Sequence, residues 1–201
     1  MKSLEAEYRE RFDGALTPLA QAIERELRMY LRNEVRIDRI SARPKSVERF
    51  LKKSSATDSS GVLKYADPLT EIQDQVGARV VTFYKSDVLR IAAVVERYFK
   101  AIEKKDHVPE RDSEFSYFGK HYIFFVSSDA SSGLDRALLP KVFELQIKTL
   151  FQHAWSEANH DLGYKPGGRT LTSDDRRKLA FTSAQAWGAD MIFDELFAGL
   201  H

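Results

Sequence analysis

Leu16, Leu19, Ile23, Leu27, Tyr30 and Leu31 recur at three- and four-residue intervals, the period of one helical face. They predict an amphipathic helix over 4–31, broken near Gly14 and Pro18. Val35, Ile37 and Ile40 lead into a short strand ending near Arg43, and 46–53 reads as a helix with Val47, Phe50 and Leu51 facing inward. The Ser-rich stretch 54–61 has no period and predicts a loop. The β-branched and aromatic run 77–84 predicts a strand. Ser86 is expected to cap the next helix, whose apolar face is Val88, Ile91, Val95, Tyr98, Phe99 and Ile102. The polar segment 104–114 reads as loop. Two further strands are expected over 117–126 and 141–147, split by the Ser- and Gly-containing segment 127–133, then helices over 150–162 and 173–199. Helices and strands alternate without repeats or a dividing linker. The expected architecture is α/β (α+β): a single domain over 1–201, with a mixed sheet of about five strands flanked by helices.

Composition narrows the function classes. The chain has 201 residues, 43% hydrophobic and 30% charged, which suits one soluble globular domain. It has no cysteine, so a disulfide scaffold and a thiolate zinc site are excluded, and a cytoplasmic location fits. The first ten residues lack the apolar core of a secretory signal, and no apolar run approaches the ~20 residues that span a bilayer. No membrane partner is expected. Net charge is +1, from 31 basic and 30 acidic residues, so phosphate binding must come from local clusters. Arg36, Arg39, Arg43, Lys45, Arg49, Lys52 and Lys53 form one such cluster.

Four segments carry the informative polar residues. Arg43, Lys45 and Ser46, followed by Lys53, put basic groups at a strand end and a helix start, which suits a polyphosphate or a solvated helix face. Asp74, just before a buried strand, is placed either to hold Mg²⁺ or to cap a loop. The run 115–121 sets Tyr117, Lys120 and His121 among aromatics, which suits base stacking and phosphate contact, or core packing. Alternation in 143–149 puts Glu144, Gln146 and Lys148 on one face and Phe143, Leu145 and Ile147 on the other. In the helix that follows, His153, Glu157 and His160 share a face, which reads as the lining of a nucleotide pocket rather than a zinc site.

In order, these segments resemble the synthetase domain of the RelA/SpoT family, above all its small single-domain members. The resemblance rests on Arg43-x-Lys45-Ser46 with Lys53; Asp74-x-x-Gly77-x-Arg79; and Tyr117-x-Gly119-x-His121. It continues with Glu144-x-Gln146-Ile147-Lys148-Thr149, where Lys148 stands in an Arg place, and with Trp155, His160, Tyr164 and Lys165 of a helix motif. Ser116 replaces a Gly, Arg49 stands where a small residue is common, and Asn159 stands where many members have Glu. The motif core spans 35–165.

The resemblance implies a nucleotidyltransferase-like synthetase fold and an ATP-dependent pyrophosphokinase that makes (p)ppGpp and AMP from ATP and GDP or GTP. It implies that Arg43 and Arg79 clasp adenine and that Lys45, Ser46 and Lys53 hold the ATP phosphates. Asp74 and Glu144 would bind Mg²⁺, with Glu144 orienting or deprotonating the acceptor 3′-hydroxyl. Tyr117, Lys120, His121, Gln146, Lys148 and His153 would bind the acceptor. The family's His-Asp phosphohydrolase domain is not expected beside it. Some small relatives are toxins, and that alternative brings a tRNA 3′ end or an adenosine nucleotide as acceptor and an antitoxin protein as partner. A homo-oligomer fits either alternative.

Overall fold

The computed structural model describes residues 2–106, 119–164 and 170–200. Helix α1 (Leu4–Arg11) passes through a π-helical turn (Phe12–Leu16) into α2 (Thr17–Tyr30), so the expected interruption near Gly14 is a change of helical winding with no break in the chain. Strand β1 (Ile37–Pro44), α3 (Val47–Ser54) and the short α4 (Pro68–Glu71) lead to β2 (Val76–Thr82) and α5 (Lys85–Tyr98). Strands β3 (Ala101–Asp106), β4 (Lys120–Phe125) and β5 (Val142–Thr149) complete the sheet, followed by α6 (Leu150–Tyr164) and α7 (Ser173–Leu200).

The sheet has five strands in the order β1-β2-β5-β4-β3. Strands β2 and β5 are parallel and every other pair is antiparallel, which makes the sheet mixed as expected. Strand alternation divides it into two unlike faces. Ile40, Ala78, Val80, Tyr122, Phe124, Phe143, Leu145 and Ile147 form one face, buried against α2 and α5 through Leu19, Ile23, Leu27, Ile91 and Val95. Burying this apolar surface is the main force holding the layers together. The other face carries Arg79, Glu144, Gln146, Lys148 and His121 and is flanked by α6. Among the described residues no helix is long and apolar enough to cross a membrane.

Three expectations are corrected. Residues 104–106 belong to β3, paired with β4, where a loop was expected. As an edge strand it carries Glu103, Lys104 and Lys105, and charge at an edge hides the apolar alternation while deterring edge-to-edge pairing. Ser86 does not cap α5. The Asp87 carboxylate accepts from the Tyr84 N–H at the helix start, while Ser86 sits in the first turn and donates to Asp194 of α7. Tyr98 and Ile102 are not core: they are 53% and 48% exposed, because α5 ends at Tyr98 and Ile102 lies in the edge strand. Tyr98 stacks on Tyr30 instead.

Candidate active site

Register brings the polar residues into rows across the sheet. Ser41, Arg79, Gln146 and His121 form one row, and Arg43, Gly77, Glu144 and Ile123 the next. Lys148 lies beside Val81, which pairs with Arg39. Residues more than a hundred positions apart thus face the same volume.

The first cluster stands where β1 ends and β2 begins. Asp74 accepts from Lys45 Nζ at 2.9 Å and from Lys53 Nζ at 3.0 Å. Burial acts to raise its pKa, but the two ammonium groups outweigh burial and hold the carboxyl below its ordinary value. Lys53 is raised: burial lowers it, and Asp74, with help from Tyr65 and Glu144, more than offsets that. Lys53 therefore links the electrostatics of the two carboxylates. Ser46 caps α3, its hydroxyl accepting from the Arg49 N–H at 3.4 Å. Tyr65, beside Lys53, is a neighbour that the sequence motifs did not mark.

The second cluster surrounds Glu144. Gln146 Nε2 donates to its carboxylate at 2.8 Å, and His121 Nδ1 stands 3.7 Å from the other oxygen. Gln146 Oε1 is buried without a hydrogen-bond partner among the described residues. Between Arg43 and Glu144 in the register, a Cβ at Gly77 would meet no atom of the described residues within 4 Å.

The third cluster joins the sheet to α6. Arg79 donates to Glu157 at 2.8 Å and lies 3.1 Å from His153 Nδ1. Burial lowers His153, and the charge of Arg79 adds to the effect. Burial raises Glu157, but Arg79 outweighs it and brings the pKa down. Lys148, 4% exposed, donates to Ser156 at 3.1 Å, and its pKa falls to about 8, first by burial and then by the nearby Arg79 charge. Gly119 lies flush on this strand, since a Cβ there would strike the Ile147 carbonyl and the Lys148 side chain. Helix α6 starts from a reciprocal cap: the Thr149 hydroxyl accepts from the Gln152 N–H, and the Gln152 side chain accepts from the Thr149 N–H. The same hydroxyl donates to the buried Asp190 of α7.

Of the residues singled out from sequence, the structure brings Arg43, Lys45, Lys53, Asp74, Arg79, His121, Glu144, Gln146, Lys148 and His153 to one sheet face and its rim. Tyr117 lies outside the described residues. Lys120 is corrected: its register partner is Ile147, which puts it with Tyr122 on the α5 side, where its charge helps lower Glu96. A residue one step from His121 must point the other way. Glu157 and Ser156 enter the site from α6. Glu157 was legible in the shared face with His153 and His160, whereas Ser156 had no signal.

Residues 42–169 match the region found in RelA / SpoT proteins. The chain belongs to the RelA/SpoT family. The matched segment holds every motif residue that forms the three clusters. The RelA/SpoT chain is also 27% identical over 167 residues to the GTP pyrophosphokinase YjbM of Bacillus subtilis (strain 168), covering 76% of this chain and 73% of that protein. Its fold is that of small alarmone synthetase 1 from Bacillus subtilis bound to its product pppGpp, with a TM-score of 0.73 at 21% identity, over 96% of this chain and 99% of the other. A GTP pyrophosphokinase family protein from Streptococcus pneumoniae matches with a TM-score of 0.72 at 22% identity, over 99% and 96% of the two chains.

Among the described residues no three acidic or histidine side chains form a ready-made metal cage. Asp74 and Glu144 nevertheless offer the hard oxygen donors that Mg²⁺ takes alongside substrate phosphates and water.

Proposed function

We propose that the protein is an ATP-dependent pyrophosphokinase, transferring the β,γ-pyrophosphate of ATP to the 3′-hydroxyl of GDP or GTP. The observation that carries this reading is the pair of carboxylates with unlike surroundings, Glu144 on the sheet face and Asp74 at its rim. Asp74 is enclosed by two lysines, and Glu144 is flanked by an amide and an imidazole. The first setting suits a polyphosphate donor and the second an uncharged hydroxyl. Family membership supports the same chemistry, and the pppGpp bound by the Bacillus subtilis synthetase favours a guanine acceptor.

In this reading the acceptor 3′-oxygen attacks the β-phosphorus of ATP. The bond between the β-phosphorus and the α,β-bridging oxygen breaks, AMP leaves with the electron pair, and Glu144 takes the hydroxyl proton. Lys45 and Lys53 turn from Asp74 to the phosphates, and Arg43 and Arg79 hold the adenine end. Gln146, whose carbonyl has no partner among the described residues, receives a donor from the acceptor nucleotide, with His121, Lys148 and His153 beside it. Such transfer depends mostly on alignment and charge neutralisation. Asp74 and Glu144 would hold Mg²⁺, which supplies neutralisation of phosphate charge. ATP and guanine nucleotides as substrates imply a cytoplasmic site of action.

The test is incubation with ATP labelled in its γ-phosphate and Mg²⁺, with GDP, GTP, ATP or deacylated tRNA in separate reactions. Label is expected on GDP and GTP with stoichiometric AMP. Label on tRNA alone, or on an adenosine nucleotide carrying a new 3′-pyrophosphate, would replace the guanine acceptor with the toxin chemistry, and no transfer to any acceptor would end the enzymatic reading.

A further inference from the structure

We infer that Tyr8, on the N-terminal helix, is a positioning residue for Lys45 of the donor-phosphate cluster. The inference rests on the proposed placement of ATP at Lys45 and Lys53. Helix α1 reads LEAEYRER and buries one side chain among its eight residues. That residue is Tyr8, at 0% exposure. A helix docked by an apolar stripe would bury three or four positions per two turns. This one has a single fully buried side chain, with Leu4 only partly buried against the core, so what Tyr8 touches bears on what the helix is for.

The Tyr8 ring stacks on Phe50 of α3, with centroids 3.6 Å apart and planes within 5°. Its hydroxyl donates to the Lys45 carbonyl at 2.8 Å. The Lys45 N–H in turn donates to the Gln75 carbonyl at 2.8 Å, and its ammonium group reaches Asp74. Three polar groups of one lysine are thus fixed from two separate parts of the chain, α1 and the turn that holds Asp74 and Gln75. The other flank is held from α1 as well. Arg11 donates to the Leu69 carbonyl at 2.6 Å and to the Gln75 side chain at 3.4 Å. Gln75, next to Asp74, donates to the Leu69 and Ile72 carbonyls. One turn of α1 therefore braces both members of the Lys45–Asp74 pair.

The winding of the N-terminal segment agrees. The π-helical turn between α1 and α2 adds a residue to the helical repeat and rotates α1 by about 100° relative to an unbroken α-helix. It lets Tyr8 face Phe50 while Leu19, Ile23 and Leu27 face the sheet. Packing alone does not need the hydroxyl, because phenylalanine fills the same slot. Burial, with the neighbouring Asp74 charge, raises the phenol pKa, so it stays a donor through the working range.

Tyr8→Phe keeps the stack and removes the donor. The expected result is a rise of about three- to tenfold in KM for ATP, the size of one lost hydrogen bond, with KM for the guanine acceptor and kcat unchanged. A residue that served only stability would lower the melting temperature and the active fraction and leave KM for ATP where it was; that pattern overturns the proposal. Arg11→Met, which removes the second tie from α1, is expected to raise the same KM, and a wild-type value there also counts against the brace. Equilibrium dialysis with a non-hydrolysable ATP analogue separates this proposal from the functional one. Wild-type protein that binds the analogue but transfers nothing ends the pyrophosphokinase reading alone, and weaker analogue binding by Tyr8→Phe still supports positioning. Equal affinities overturn positioning, and no binding by wild type overturns both.

Discussion

Gly77 stands between Arg43 and Glu144, and among the described residues nothing occupies the space its side chain would take. A β-branched residue there suits a strand and places its Cβ clear of the described residues, yet fills the floor over which the two substrates would meet. Gly77→Val is expected to melt at or above the wild-type temperature while losing most of its transfer activity; full activity would show that no substrate crosses that floor. Lys148 gives a pH prediction. Its folded pKa of about 8 lies below the ordinary 10.5, so between these values the unfolded chain keeps a proton that the folded chain has released. This group therefore makes stability rise with pH across that window, while its charge is lost to an anionic acceptor. The acceptor kcat/KM is expected to fall with an alkaline limb near 8, and Lys148→Arg, which stays charged, should move the limb upward. An unchanged limb in the variant would remove Lys148 from acceptor binding.

Elements were legible where one period ran undisturbed. Helix α2 and strands β2 and β5 could be read because Leu19, Ile23 and Leu27, or Phe143, Leu145 and Ile147, repeat at the spacing of a single buried face. Strand β3 was hidden by its edge charges, and the face of Lys120 by a register that only pairing with Ile147 defines. The brace from α1 was equally out of reach, since Tyr8 sits alone in a polar helix and its partner is 37 residues away. Helix α6 shows how a local signal and a distant one combine. Thr149 and Gln152 form a cap readable at three-residue spacing, but the Asp190 carboxylate that receives the Thr149 hydroxyl comes from α7. Asp190→Ala leaves that buried hydroxyl without its acceptor and is expected to cost about 1–3 kcal/mol in urea unfolding. It should also loosen α6, which carries His153 and Glu157 to Arg79; a wild-type unfolding midpoint would show that α7 does not anchor it.

Across the whole molecule, the sheet separates folding from chemistry. The face toward α2 and α5 holds the large buried side chains, and the face toward α6 holds the charges. Adjacent residues of β5 should therefore fail in opposite ways. Phe143→Ala, at a fully buried position, is expected to cost about 3–5 kcal/mol and to lose activity only as far as it unfolds. Glu144→Gln should unfold within about 1 kcal/mol of wild type while transfer falls by about 10²–10⁴. Substantial transfer by Glu144→Gln would remove it from proton abstraction. This separation also bears on how such a chain can diverge. If the proposed acceptor site is right, substitutions at His121, Gln146 and Lys148 would alter what the sheet presents to a nucleotide and leave the apolar face beneath them intact. On that assignment a lineage could retune its acceptor by small heritable steps, none of which has to pass through an unfolded intermediate sequence.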